Sequence, residues 1–275
     1  MKEKNYETRC GSITYWTDCI DEQAYTLVFL PGLTADHRLF DKQLEYFQGK
    51  WNLFVWDAPA HAKSRPFSFD FTLKDKATWL KEILDREKIR KPIIIGQSMG
   101  GYVGQAFEEY FPHTLCGFIS IDSAPIQRHY MSNMELWFLE RTEPMYRMYP
   151  WKALVRDAAK GLATTPYGQQ NMREIMLEYS SDPKYYAHLA GQGFFMLAQA
   201  IKADLRYEIT CPALLICGEK DHAGFTAKYN RRWHEQTGLE IHWIKDAGHN
   251  ANADKPEEMN AIIENFLDSL KAKEA

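Results

Sequence analysis

Three side chains in this 275-residue chain have the types and settings that acyl-transfer chemistry needs: a serine between glycines, a histidine after a glycine, and an acid in a third loop. Ser98 stands in Gly96-Gln97-Ser98-Met99-Gly100, a G-x-S-x-G. A serine hydroxyl is a weak nucleophile and needs a neighbouring base that a third group holds in place. His249, in Asp246-Ala-Gly-His249-Asn, is the candidate base. Asp221, in Gly218-Glu-Lys-Asp221, is the candidate acid; Glu219 and Asp122 compete with it from the same and a different loop. The small residues about Ser98 have a steric purpose, since a strand that turns sharply into a helix leaves no room for side chains beside the turn. A serine that only capped a helix would need no glycines on both sides.

Each of these residues follows an apolar run of strand length. Residues 25–30, 52–56, 93–95, 118–121, 213–217 and 240–244 read as strands, the first stopped by Pro31-Gly32. Two shorter strands are expected at 6–9 and 12–17, hinged near Gly11. Between the runs lie helix-period stripes: Leu73, Ala77, Leu80 and Leu84, and, after Pro256, Met259, Ile262, Ile263, Phe266, Leu267 and Leu270. Strands alternating with helices predict an α/β fold with a mostly parallel sheet.

One stretch breaks the alternation. Residues 126–206 show helical periodicity alone and hold seven of the ten methionines, with Trp137, Phe138, Trp151, Phe194 and Phe195. A helical subdomain packed on itself accounts for this pattern. So does a lid whose adaptable underside faces a ligand, with Trp137, Phe138 and Phe194 as its substrate contacts.

Composition narrows the function classes. At 45% hydrophobic and 25% charged residues the chain is an ordinary globular protein rather than a disordered or fibrous one. Net charge is −4 with no basic block, which leaves a nucleic-acid partner without an electrostatic footprint. The start carries no apolar signal segment, and no run approaches the ~20 apolar residues of a membrane span, so a cytoplasmic location is expected. Cys10, Cys19, Cys116, Cys211 and Cys217 show neither C-x-x-C nor zinc spacing, and read as reduced thiols. No metal-spaced cluster or nucleotide-binding glycine loop implies a metal or organic cofactor.

The chain order Ser98, Asp221, His249, with the serine elbow and the closing Gly248-His249 … Pro256-Glu257-Glu258, resembles the α/β-hydrolase fold from Tyr25 to Leu270. The resemblance implies an eight-stranded, mostly parallel sheet with helices on both faces. It also implies a core at 1–125 and 207–275 with 126–206 inserted as a helical cap. It places an oxyanion hole at the backbone N–H groups of Leu33 and Met99, although Pro31-Gly32 replaces the usual His-Gly. A second departure lies at Asp57-Ala-Pro-Ala-His-Ala-Lys-Ser64, where Ala60 and Ala62 stand for glycines and His61 reads as a surface imidazole. The expected activity is that of a serine hydrolase acting on a small-molecule acyl substrate, a carboxylic ester above all. Cleavage of a C–C bond beside a carbonyl is the alternative on the same scaffold, with Arg128, Arg141, Arg147 or Arg156 holding a carboxylate. A ligand receptor on a degenerate hydrolase fold is the third reading, weakened by the retention of all three triad members.

Overall fold

Apolar runs too short to make helices form the inner strands of one eight-stranded sheet. The structure, a computed structural model, describes residues 1–274. Its strands are β1 (Lys2–Thr8), β2 (Gly11–Asp18), β3 (Thr26–Leu30), β4 (Asn52–Trp56), β5 (Pro92–Gln97), β6 (Gly117–Ile121), β7 (Ala213–Gly218) and β8 (Glu240–Ile244). They lie in the order β1-β2-β4-β3-β5-β6-β7-β8. β1 and β2 are antiparallel additions at one edge, and β4 through β8 are joined by parallel pairings. β3, β4, β5 and β6 are buried at every position, as strands covered on both faces must be.

β1 is longer than its sequence suggests. Its KEKNYET pattern is charged and half exposed, so no apolar alternation announces it. Charge on an edge strand discourages pairing with other chains, which makes a poor strand signal and a sound edge.

Side chains alternate between two cores. Leu27, Phe29, Ile93 and Ile95 face α1 (Asp41–Phe47) and α11 (Pro256–Glu274), which supply Phe47, Ile263 and Leu267. Val28, Leu30 and Ile94 face α2 (Leu73–Arg86), α3 (Met99–Tyr110) and α9 (Thr226–Thr237), which supply Leu80, Phe107 and Trp233. The predicted stripe of α2 is the observed one, with Leu73, Ala77, Leu80 and Leu84 all buried.

Between β6 and β7 the chain forms α4 (Asn133–Leu139), α5 (Glu143–Met148), α6 (Trp151–Leu162), α7 (Pro166–Leu177) and α8 (Pro183–Lys202), with no strand among the described residues. Met172, Ile175, Met176, Leu197 and Ile201 point inward from this insertion. A short α10 (Ala251–Asp254) follows β8. No helix among the described residues is long and apolar enough to cross a membrane.

Candidate active site

β5 delivers Ser98 to the elbow. Ser98 has φ 49° and ψ −115°, a conformation L-residues avoid, and α3 begins at the next residue. The turn is that tight because the strand, elbow and helix are in contact. A Cβ on Gly100 would stand 1.8 Å from the Leu30 carbonyl oxygen of β3, so a larger residue there would force the helix off the sheet. The Ser98 N–H donates to the Ile121 carbonyl at 2.9 Å, which fixes the elbow to the end of β6.

The loop after β8 carries His249 to the serine, and the loop after β7 carries Asp221 to the histidine. His249 Nε2 lies 2.9 Å from Ser98 Oγ, and Nδ1 lies 2.9 Å from Asp221 Oδ2. A carboxylate can only accept, so Nδ1 bears the proton and Nε2 is left to accept from the serine hydroxyl. The second Asp221 oxygen accepts the Ala223 N–H at 2.8 Å. Asp221 and His249 are both buried, which strengthens their interaction relative to water.

Neither competing acid reaches the imidazole. Glu219 is exposed, its N–H bonded to the Ile244 carbonyl. Asp122 is fully buried at the end of β6, and its two oxygens accept the N–H groups of Gly218 at 2.7 Å and Ala251 at 3.1 Å. It therefore ties the loop of Asp221 to the loop of His249. Burial, followed by the nearby Asp221 charge, pushes the Asp122 carboxyl well above the usual carboxylate range.

Residues 31–34 pass beside Ser98. A Cβ on Gly32 would meet Gln97 Oε1 at 2.3 Å and Ser98 Cβ at 3.2 Å, so a larger residue there would displace the Gln97 amide and crowd Ser98. Met99 is the first residue of α3, and its N–H has no carbonyl within the helix to bond. The Thr34 N–H is already taken, by His61 Nε2 at 3.1 Å, which leaves the Leu33 N–H as the adjacent donor of that loop.

His61 corrects the surface reading of the sequence. It is fully buried, with Nδ1–H donating to the Pro59 carbonyl at 2.9 Å and Nε2 accepting from Thr34. Burial lowers its pKa to about 3, so the ring is neutral and can accept. The loop turns the imidazole inward through positive φ at Ala60 (71°) and Ala62 (36°), the conformation glycines would have taken at no steric cost. Asp57 and Ser64 close the loop: Asp57 accepts from His37 and Lys63 N–H, and Ser64 Oγ–H donates to the Asp57 carbonyl at 2.7 Å.

Sequence reasoning also passed over Gln97. Its buried amide donates to the His249 carbonyl at 2.8 Å, joining the residue before Ser98 to His249. Its place inside G-x-S-x-G was the available signal.

The aromatic residues of the insertion divide. Phe194 stacks on Tyr146, Tyr146 meets Tyr186 edge-on, and the Tyr186 hydroxyl lies 3.1 Å from Thr34 Oγ1. A Cβ on the neighbouring Gly193 would meet the Leu33 side chain at 2.3 Å, so this part of α8 rests on the loop beside Ser98. Trp137 and Phe138 instead pack on each other, under the Arg141 guanidinium, and are 50% and 57% exposed. Arg147 and Arg156 pair with Glu143 and Asp157, and Arg128 bonds Asn133, all within the insertion.

Two clusters bring possible cation ligands together, Asp36/His37/Asp57 and Asp122/Cys217/Asp221. The carboxylates of both, among the described residues, are already engaged, by Arg38, by the His37 ring, by backbone N–H groups and by His249.

Comparison with known proteins agrees with this architecture. A model of the alpha/beta hydrolase family matches residues 27–262. The 3-oxoadipate enol-lactonase 2 of Acinetobacter baylyi is 23% identical over 86% of this chain and 86% of its own length. The 2-succinyl-6-hydroxy-2,4-cyclohexadiene-1-carboxylate synthase of Klebsiella pneumoniae is 26% identical over 88% of this chain and 94% of its own. Among solved structures, an esterase from Thermogutta terrifontis superimposes with a TM-score of 0.79 at 20% identity, covering 98% of this chain and 99% of that one. The enol-lactonase of Burkholderia xenovorans follows the same fold, with a TM-score of 0.75 at 20% identity over 96% and 99%. The match runs from β3 into α11 and takes in the elbow and both loops that meet it: this chain belongs to the alpha/beta hydrolase family.

Proposed function

We propose that the protein is a serine hydrolase that cleaves a small to medium, largely apolar carboxylic ester, or a related acyl substrate, through an acyl-enzyme. The observation that carries this reading is the unbroken line Ser98 Oγ–His249–Asp221, with both hydrogen bonds at 2.9 Å. Ser98 Oγ attacks the carbonyl carbon while its proton passes to His249 Nε2. The Leu33 and Met99 N–H groups receive the developing oxyanion, a contribution of about 10²–10³ in rate per donor. The imidazolium then protonates the departing alkoxide, and the acyl group stays on Ser98. Water, deprotonated by His249, hydrolyses that ester and restores the serine. Asp221 holds the ring in the productive tautomer throughout.

We assign residues 126–206 as a cap over this site, the remainder forming the core. The contact of Gly193 with Leu33 and the bond from the Asn250 N–H to the Leu162 carbonyl at 2.8 Å support that assignment. Phe194 is its leading candidate for contact with the acyl chain. An apolar wall disfavours a charged acyl group, because an unpaired charge is costly there. Two of the relatives, an enol-lactonase and an esterase, support ester chemistry, while the synthase among them keeps the C–C alternative in the test below. The five free thiols fit a reducing compartment, and we place the protein in the cytoplasm.

A fluorophosphonate probe tests the mechanism. Stable labelling of the wild type, abolished in Ser98→Ala, is the expected result; folded wild type that resists the probe would overturn it. A panel of p-nitrophenyl esters of rising chain length tests the substrate class. Short and medium apolar chains are expected to lead. Faster turnover of a carboxylate-bearing C–C hydrolase substrate would replace the ester reading.

A further inference from the structure

Asp254 closes α10, five residues after His249, and is 5% exposed. Its carboxylate is crowded with donors. Oδ1 accepts from the Thr164 N–H at 3.0 Å, the Thr165 N–H at 2.9 Å and the Thr165 hydroxyl at 2.9 Å. Oδ2 accepts from the Thr164 N–H at 2.9 Å and the Gly248 N–H at 2.8 Å. Thr164 and Thr165 form the turn between α6 and α7, whereas Gly248 precedes the candidate base. One carboxylate thus joins the insertion to the loop of His249.

Two further bonds run the same way. The Thr164 hydroxyl donates to the Asp246 carbonyl at 2.7 Å, and the Asn250 N–H donates to the Leu162 carbonyl at 2.8 Å. Both chain neighbours of His249, Gly248 and Asn250, are therefore bonded through this junction. A buried carboxylate accepting backbone N–H groups makes hydrogen bonds about twice as strong as neutral ones, so the joint is rigid.

We propose that Asp254 is a positioning residue for the base, and that through it the insertion forms part of the mounting of His249 rather than a detachable cover. The proposal rests on the serine-hydrolase reading above. If the imidazole is set from this side, loosening the joint should slow proton transfer at Ser98 even for a substrate too small to touch the cap. Asn at 254 would keep one acceptor oxygen and turn an NH₂ toward N–H donors. A misplacement of about 1 Å in a reacting group costs on the order of 10²-fold in rate.

The test compares wild type, Asp254→Asn and Thr164→Val in three measurements. These are the rate of fluorophosphonate labelling, kcat and KM on p-nitrophenyl acetate, and amide hydrogen exchange of residues 162–168 and 246–251. The labelling rate and kcat of Asp254→Asn are expected to fall together by roughly 10–100-fold, with KM little changed. Both segments should exchange faster in concert. Thr164→Val, which removes only the hydroxyl bond to the Asp246 carbonyl, should show a smaller loss in the same direction. Wild-type labelling by Asp254→Asn, or a rise in KM alone, would overturn the proposal. If Asp254→Asn does not fold, wild-type labelling by Thr164→Val does so instead. Wild type that fails to label sinks the hydrolase reading separately, since the exchange data still report on the joint.

Discussion

Removing the hydroxyl of Ser98 should abolish turnover and leave the elbow standing, because the strained backbone is held by Gly100 against β3 and by the Ile121 carbonyl. The two buried aspartates should part company. Asp221→Asn is expected to lower kcat by about 10⁴, the loss seen when a triad acid can no longer select the histidine tautomer. Asp122→Asn leaves the imidazole its partner but turns an NH₂ toward the Gly218 or Ala251 N–H, and should cost about 1–3 kcal/mol of stability. Kinetics with chemical denaturation on both variants distinguishes them; an active Asp221→Asn beside a dead but stable Asp122→Asn would reverse the assignment. His61 gives a pH signature. With its pKa at about 3, against about 6.5 for a free imidazole, the unfolded chain binds the extra proton. The contribution of His61 is complete above pH 6.5 and declines as pH falls toward 3, by up to about 1.4 kcal/mol per unit. His61→Gln should flatten the acid limb of stability against pH, read from urea midpoints between pH 7 and 4; parallel limbs would contradict this.

Among the elements, α2 contains a conflict between pattern and chemistry. Its inward stripe passes through Lys76, which is 2% exposed and lies 5.7 Å from the centre of the Phe71 ring. Burial lowers the Lys76 pKa to about 8 from 10.5, so below pH 8 the helix keeps a charge in an apolar setting. Lys76→Met should therefore stabilise the protein at pH 7 by on the order of 1–3 kcal/mol. The gain should shrink between pH 8 and 10.5, where the folded-state lysine loses its proton. Thermal melts at pH 7 and pH 10 provide the check, and a variant less stable at pH 7 would refute it. What the sequence makes legible at this scale follows from burial pattern. β4 is readable to the residue because it is an apolar run between polar loops, and β8 because its β-branched and aromatic residues alternate with polar ones. β1 is not, because charged side chains at an edge hide the alternation. The loop of His61 is misread for a related reason: a lone imidazole among small residues carries no mark of the positive φ values that fold it inward.

At the scale of the whole molecule, the strand ends that present Ser98, Asp221 and His249 are legible because each stops at a glycine-containing loop at the same end of a parallel sheet. Long-range carboxylates such as Asp122 and Asp254 are not. In sequence Asp122 is a competitor for the triad acid or a structural loop residue and Asp254 carries no signal, and only the fold brings Gly218, Ala251 and Thr164 to them. The same separation governs when the machinery can exist. Ser98 and His249 lie 151 residues apart, and Asp221 lies 28 before the histidine. During synthesis the elbow can form once β5 and β6 have paired, while the acid and base are still to be made. On the proposed mechanism the ribosome thus releases Ser98 long before the residues that activate it, and hydrolytic competence arrives with the docking of the last strand.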